Sequence, residues 1–417
     1  MKFKNLSILL VIFLFSCEVE QIKPSEPVPA SEEKPTVDST EFDRPDKDTS
    51  NEKDEREKVE VGTGSGQLII KDASEKNFVV KPGTYWNITI ENVKNSTIEG
   101  KSVVVISGGD MKISNINKLE IKGINFENYN QTAVRINDDA NNLTLEDIRF
   151  KNIGNTVISF GKDKKFDGSP ASYSENIHLV NIYAENTGML FGSAGGIHQD
   201  GFYGLIKGFK LTNSTIKNSP RLSNGVYLSL GEDYEFSNNV VDNVNSINNN
   251  HNGIFFAQGN GKVFGNKVTN HQGNLIRAWL FSIDKPNAMV EIFDNIVYNS
   301  SRYGAFELQV TPSIENLSVF KPANAKVYNN TIGKLNTGLP KYFEGRLLDL
   351  YQTFGNVEIY NNLSFDLYDD VIVNNMSDAR VTKITKNTNN VYRKKAADAV
   401  SDLKTFKSKL SGVGARK

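Results

Sequence analysis

One short unit recurs along this chain and limits what it can fold into: a period-2 apolar strand, an asparagine-bearing turn, and a second apolar stretch. It appears as Asn95-Ser-Thr-Ile-Glu-Gly100, Gly123-Ile-Asn-Phe-Glu-Asn128, Asp147-Ile-Arg-Phe-Lys-Asn152, Asn181-Ile-Tyr-Ala-Glu-Asn186 and Asn213-Ser-Thr-Ile-Lys-Asn218. It continues at Asn239–Asn243, Asn266–Asn270, Asn295–Asn299, Asn330-Thr-Ile-Gly and Asn362-Leu-Ser-Phe. Strands such as Leu119-Glu-Ile121, Leu143-Thr-Leu145, Val290-Glu-Ile292 and Val357-Glu-Ile359 precede the turns. The spacing of about 24 to 35 residues is that of a stacked repeat, in which each unit buries its apolar face only against its neighbours.

Helical repeats need long windows of 3.6 periodicity, which are absent, and leucine-rich repeats need a shorter, Leu-dominated period. The expected fold is therefore all-β: a right-handed parallel β-helix, a solenoid of about ten coils. Asparagine tolerates left-handed backbone and can bond the backbone or an amide in the next coil, so most of these Asn are expected to be structural.

A second strand aligns in each coil: Val134-Arg-Ile136, Ile158-Ser-Phe160, Val226–Leu230, Ile254–Ala257, Ile276–Trp279, Phe306–Gln309, Leu348–Tyr351 and Ile372-Val373. With Val226, Ile254, Ile276, Phe306 and Leu348 inward, one outward column reads Arg135, Ser159, Tyr227, Phe255, Arg277, Glu307, Asp349. A second reads Ser229, Ala257, Trp279, Gln309, Tyr351. Long connections at 161–174, 192–208, 245–252, 282–288, 311–325 and 337–345 are expected to wall a groove over these columns.

The amino terminus, MKFKNLSILLVIFLFSC, has basic Lys2 and Lys4, an apolar stretch too short to span a bilayer comfortably, and Cys17, the single cysteine. It resembles a bacterial lipoprotein signal, which implies cleavage before Cys17 and lipidation of its thiol. The mature body then has no disulfide or thiolate chemistry. The expected layout is a signal at 1–16, a Pro-containing tether at 17–62, the β-helix at 63–393, and a cap or tail at 394–417 whose short amphipathic helix covers the last coil. The expected location is the cell envelope, on the outer membrane, held through the lipid anchor alone. With 48 basic and 49 acidic residues and a net charge of -1, the chain lacks the cationic excess of a nucleic-acid binder.

Arg277, Glu307 and Asp349 are the stronger candidate constellation. Tyr227, Phe255, Trp279, Gln309, Tyr351 and Arg135 are expected to line a binding surface for a linear glycan. His198 and Asp200, two apart in the Gly-rich stretch 195–201, and His251 are further catalytic candidates. Glu307 and Asp349 on neighbouring coils would lie about 5 Å apart and suit a retaining glycoside hydrolase. Alternatively, Arg277 would neutralise a uronate carboxylate while His198, His251 or Tyr227 removes the adjacent proton, as in a lyase. A salt-bridge ladder on a non-catalytic glycan-binding surface protein accounts for the same residues.

The opening coils, Gly83-Thr-Tyr-Trp-Asn-Ile-Thr-Ile and Leu119-Glu-Ile-Lys-Gly-Ile-Asn-Phe, resemble those of alginate and chondroitin lyases, and residues 67–392 resemble the pectate-lyase-like superfamily of β-helices. The resemblance implies polysaccharide processing, with calcium in some members. No Lys stands beside Arg277, and the Asn-Thr-Asp, Gly-His-Gly and Asp-Pro-His-Glu signatures of related enzymes are missing. The resemblance therefore leaves the activity open, and no cofactor or metal ligand set is expected apart from such a calcium ion.

Overall fold

The computed structural model describes residues 56–247, 253–283, 285–310, 317–339 and 343–416, without the side chain of Asp138. Nearly every element is a strand, and nearly every pairing is parallel. Successive passes of the chain form three ladders. One runs through Val134–Glu146, Ile158–Phe160, Phe191–Ser193, Val226–Ser237, Gly253–Phe264, Asn274–Ile283, Phe306–Gln309, Leu348–Leu350 and Val373–Asn375. A second passes through Ile177–Val180, Lys210–Thr212, Met289–Phe293, Asn324–Tyr328 and Asn356–Tyr360. The third passes through Tyr183–Thr187, Thr215–Ser219, Val240–Val244, Lys267–His271, Ile296–Ser300, Thr331–Gly333 and Leu363–Phe365. The all-β, parallel architecture anticipated from the repeat is what the strands form.

The inward residues make one continuous core. Within it Phe191, Phe209, Phe236 and Phe255 pack in sequence, with centroids 4.5, 6.0 and 4.7 Å apart. Each fully buried ring contributes about 2–3 kcal/mol of transfer free energy.

The asparagine turns have a two-residue logic. The first residue takes positive φ, as at Asn238 (55°), Asp294 (53°), Asn329 (53°) and Asn361 (56°), a conformation that Asn and Asp adopt more cheaply than most residues. The second points inward. Asn239, Asn266, Asn295, Asn330 and Asn362 each donate Nδ2–H to Oδ1 of the next, at 2.9, 2.9, 3.0 and 2.9 Å, and Asn362 continues to Asn390 at 2.8 Å. Backbone N–H groups of Asn239, Asn266, Asn295 and Asn330 donate to the same oxygens. A buried polar column is thereby satisfied internally, as low-dielectric surroundings require.

Two boundaries differ from expectation. Residues Glu57–Val61, assigned to the tether, form a strand parallel to Lys76–Val80, because Val59 and Val61 supply enough apolar surface to pack on the core. At the other end only Ala396–Ala399 is helical, and the tail lies along a flank of the stack instead of over its end. Val400, Phe406 and Val413 bury against Ile296 of one strand and Leu363 and Phe365 of another in the third ladder. Ala415 N–H donates to Thr331 Oγ1 (2.9 Å) and Arg416 N–H to Asp294 Oδ1 (3.1 Å).

Cys17 and the whole segment 1–55, and with them the signal and most of the tether, lie outside the described residues.

Candidate active site

Strand alternation places Ile276, Ala278 and Leu280 in the core and turns Arg277 and Trp279 outward. The same alternation turns Glu307 and Gln309 outward from Phe306–Gln309, and Asp349 from Leu348–Leu350. Register then stacks Tyr227, Phe256, Arg277, Glu307, Asp349 and Asn374 in one column on adjacent strands. Arg277, Glu307 and Asp349 are therefore brought together as expected.

One strand is offset. Phe255 pairs with Val226 and Ile276 and is fully buried in the core, so it cannot line a binding surface. Its neighbour Phe256 takes the outward place, stacked on Tyr227 at 4.9 Å with an interplanar angle of 4°, and Trp279 meets it edge-on at 6.1 Å. Ala257 is likewise inward, and Gln258 lies opposite Trp279. In the run Gly253-Ile-Phe-Phe-Ala every residue is compatible with either face, so only pairing with the neighbours sets its parity.

Arg277 donates through Nε to Glu307 Oε1 at 2.7 Å, and Gln309 Nε2 donates to the same oxygen at 2.8 Å. The Arg277 side chain retains 25% exposure, whereas Glu307 and Asp349 are at 0%. The segment Phe343–Arg346 lies against Asp349. Gly345 N–H donates to Asp349 Oδ2 at 3.2 Å, and Asn374 Nδ2 donates to Asp349 Oδ1 and to the Phe343 carbonyl, both at 3.1 Å. Glu344 is buried alongside, accepts the Tyr351 hydroxyl, and has its carbonyl held by Asn336 Nδ2 at 2.8 Å. Gly304 makes room for the acid: a β-carbon there would lie 2.4 Å from Asp349 Oδ2.

Burial pushes the Asp349 carboxyl up to about 7, and the nearby carboxylates Glu344 and Glu307 push the same way against the Asn374 and Gly345 hydrogen bonds. Burial and the Glu344 carboxylate also raise the Tyr351 hydroxyl well above its ordinary value, so it stays protonated at neutral pH and donates to Glu344. Asp349 thus exchanges a proton near neutrality, while Glu307 lies in an ion pair.

Arg135, His198 and Asp200 make their contacts with other groups. Arg135 shares the column, but Ser159, Gly192, Tyr227 and Phe256 separate it from Arg277, and its Nε pairs with Asp110 at 3.1 Å. His198 and Asp200 sit on an antiparallel hairpin, Gly196–His198 with Gly201–Tyr203. There Asp200 accepts from Lys165 (3.0 Å) and Tyr203 (2.9 Å), which hold its carboxyl below the usual carboxylate range, and His198 lies edge-on to Tyr203. Asp200 is therefore engaged with Lys165 and Tyr203 instead of orienting the imidazole. His251 lies outside the described residues.

Three of the long connections pack together on one side of the stack. Phe202 of the hairpin stacks on Phe281 (5.7 Å), which packs on Phe320 (6.1 Å), in a satellite apolar cluster with Leu205, Leu230, Ile283 and Val310. Trp279 packs partly into this cluster, so it braces the cluster instead of standing open as a platform.

Glu344 and Asn374 were not among the sequence candidates. Asn374 could have been reached by continuing the outward column one strand beyond Asp349. Glu344 lies in an irregular connection; the nearest signal was Gly345, whose φ of 124° suits glycine alone. Among the described residues, no group of three or more His, Cys, Asp or Glu side chains is placed to hold a metal ion.

No family model matches the chain, and no curated protein matches it. Among solved structures it is similar to a PL6 alginate lyase in complex with a trisaccharide (TM-score 0.40, 11% identity, 86% of this chain and 92% of that one). It is also similar to an iota-carrageenase complexed to iota-carrageenan fragments (TM-score 0.21, 8% identity, 77% and 84%). At these TM-scores the likenesses add nothing to what the strand pairing already establishes.

Proposed function

We propose that this chain is a polysaccharide-processing enzyme that takes a linear glycan along the outward column and cleaves it by acid–base chemistry. The observation that carries this reading is the contrast between two carboxyls on adjacent strands: Glu307 in an ion pair with Arg277, and Asp349 in a desolvated site with its proton held to about 7. Carboxyls whose surroundings differ in this way divide into proton donor and ionised partner. Asp349 then protonates the leaving glycosidic oxygen, and Glu307 attacks or stabilises the sugar. Neighbouring strands about 4.8 Å apart favour the short carboxyl separation of a retaining hydrolase. Gln309 and Arg277 hold Glu307 in orientation, and Tyr351 donates to Glu344 beside the acid.

The full burial of Glu307 and Asp349 favours a second reading, a non-catalytic glycan-binding protein in which both carboxylates only stiffen the column. A panel of neutral and uronic-acid polysaccharides separates the two. Hydrolysis releases reducing ends without absorbance near 235 nm, and is expected to vanish in Asp349→Asn and Glu307→Gln. Absorbance there would mark elimination and transfer the central role to Arg277. Binding without either signal would establish the second reading.

The same proposal places the folded part, a right-handed β-helix of about ten coils, on the outer membrane through lipidated Cys17 behind a polar tether. Incorporation of a labelled fatty acid, lost in Cys17→Ala, is its test.

A further inference from the structure

Long connections pack beside the first ladder, and Val400, Phe406 and Val413 of the tail pack on the third. The second ladder presents two adjoining outward columns. One reads Glu235, Lys262, Glu291, Lys326, Glu358 and Lys386 on six successive strands, and its charge alternates at every step. The other, two residues further along four of these strands, is Phe264, Phe293, Tyr328 and Tyr360. These rings stack with centroids 4.9, 5.0 and 5.0 Å apart and interplanar angles of 4°, 7° and 6°. All four keep part of their surface in water. Within the charged column, neighbours already oppose one another, as in Lys262–Glu291 at 3.5 Å, and Lys386 Nζ lies 3.6 Å from the Tyr360 ring centroid. Exposed pairs of this kind are weak, and a solvated face needs nothing more. The ring stack is what such a face does not need. Adjoining aromatic rings left part-wet beside an alternating charge pattern mark a contact surface.

We propose that this face pairs with the same face of a second copy, about a two-fold axis running parallel to the strands between Met289–Phe293 and Asn324–Tyr328. Such an axis reverses the order of the strands and keeps position along them. Lys262 then faces the second copy's Glu358, Glu291 its Lys326, and Glu235 its Lys386, so every facing pair is opposite in charge. In the same register Phe264 faces Tyr360 and Phe293 faces Tyr328 across the axis. An axis along the stack would instead set each charge against its own copy. Six strands of about five residues measure about 29 by 17 Å, so the pairing buries about 1,000 Å² in total. That is the lower limit for a specific interface, and the dimer is accordingly weak and sensitive to salt.

The test is sedimentation equilibrium of the full chain at concentrations up to about 100 μM. Wild type is expected to dimerise in that range and to dissociate as NaCl is raised from about 0.05 to about 0.5 M. Lys326→Glu sets like charges against each other on both sides of the axis and is expected to weaken the dimer about tenfold. Adding Glu291→Lys returns opposite charges to the facing positions and is expected to restore association. The salt dependence is read on wild type alone, so it stands even where a variant folds poorly. A chain that stays monomeric throughout overturns the proposal and leaves the face to another occupant. A dimer indifferent to salt or to Lys326→Glu overturns it as well, as does a loss that the double substitution fails to recover.

Discussion

Replacing Asp349 by Asn tests the central electrostatic feature of the site without any knowledge of the substrate. The carboxyl is held to about 7 in the folded protein, against 3.8 for a solvated Asp. Because the folded form binds the proton more tightly than the unfolded form, stability is greatest at low pH. It falls as pH rises from the unfolded value to the folded one. The full penalty, about 4 kcal/mol at 1.36 kcal/mol per pH unit, is present above pH 7. By pH 5 it has shrunk to about 1.5 kcal/mol. Asn is nearly isosteric and never ionises, but its amide turns one donor toward the Asn374 or Gly345 donors, which costs about 1 kcal/mol. Asp349→Asn is therefore expected to be more stable than wild type by about 3 kcal/mol at pH 8 and nearly equal to it at pH 5. Urea unfolding of both proteins at both pH values measures this, provided the denaturant slopes agree. Comparing variant with wild type cancels the titrating groups that do not interact with Asp349, leaving its own effect and its coupling to Glu344, Glu307 and Tyr351. A difference that does not change between pH 5 and pH 8 would refute the assignment of a neutral-range proton to this acid.

Other outcomes follow from the same geometry. His271 is buried and held down to about 4, so the stability it permits is present above pH 6.5 and lost as pH falls toward 4. His271→Leu should remove about 3 kcal/mol of that acid-side loss in urea melts at pH 4 and pH 7. Asn295→Ala deletes the acceptor of the Asn266 backbone and side-chain N–H groups and the donor to Val263 and Asn330. It should cost about 3–5 kcal/mol, and a loss under about 1 kcal/mol would show that the interior column is not a stabilising element. Gly304→Ala places a methyl 2.4 Å from Asp349 Oδ2 and 2.5 Å from the Arg346 carbonyl. It should lower turnover on a cleavable polysaccharide more than a destabilisation of about 1–3 kcal/mol explains, measured well below the unfolding midpoint.

Local chemistry alone was enough to indicate how the chain propagates. Period-2 strands ending in Asn, Asp or Gly at left-handed positions specify passes that stack, with amides set to bond from one coil to the next; that the column points into the stack was shown by the structure. The column Arg277, Glu307, Asp349 was legible for the same reason: Ile276–Trp279, Phe306–Gln309 and Leu348–Tyr351 alternate cleanly, so parity follows from burial of the apolar members. At Ile254–Ala257 there is no alternation to read, and pairing with Val226 and Ile276 decided that Phe255 goes in and Phe256 out.

Only the tertiary structure decided the environment of the carboxyls. On sequence Glu307 and Asp349 are outward residues of a strand, which ordinarily means contact with water. Here both are buried, and at Asp349 an irregular connection folds back over the carboxyl, its backbone held there through Gly345 and Asn374. Whether an outward side chain is wet or buried depends on what lies above the sheet, and no periodicity in the strand itself encodes that.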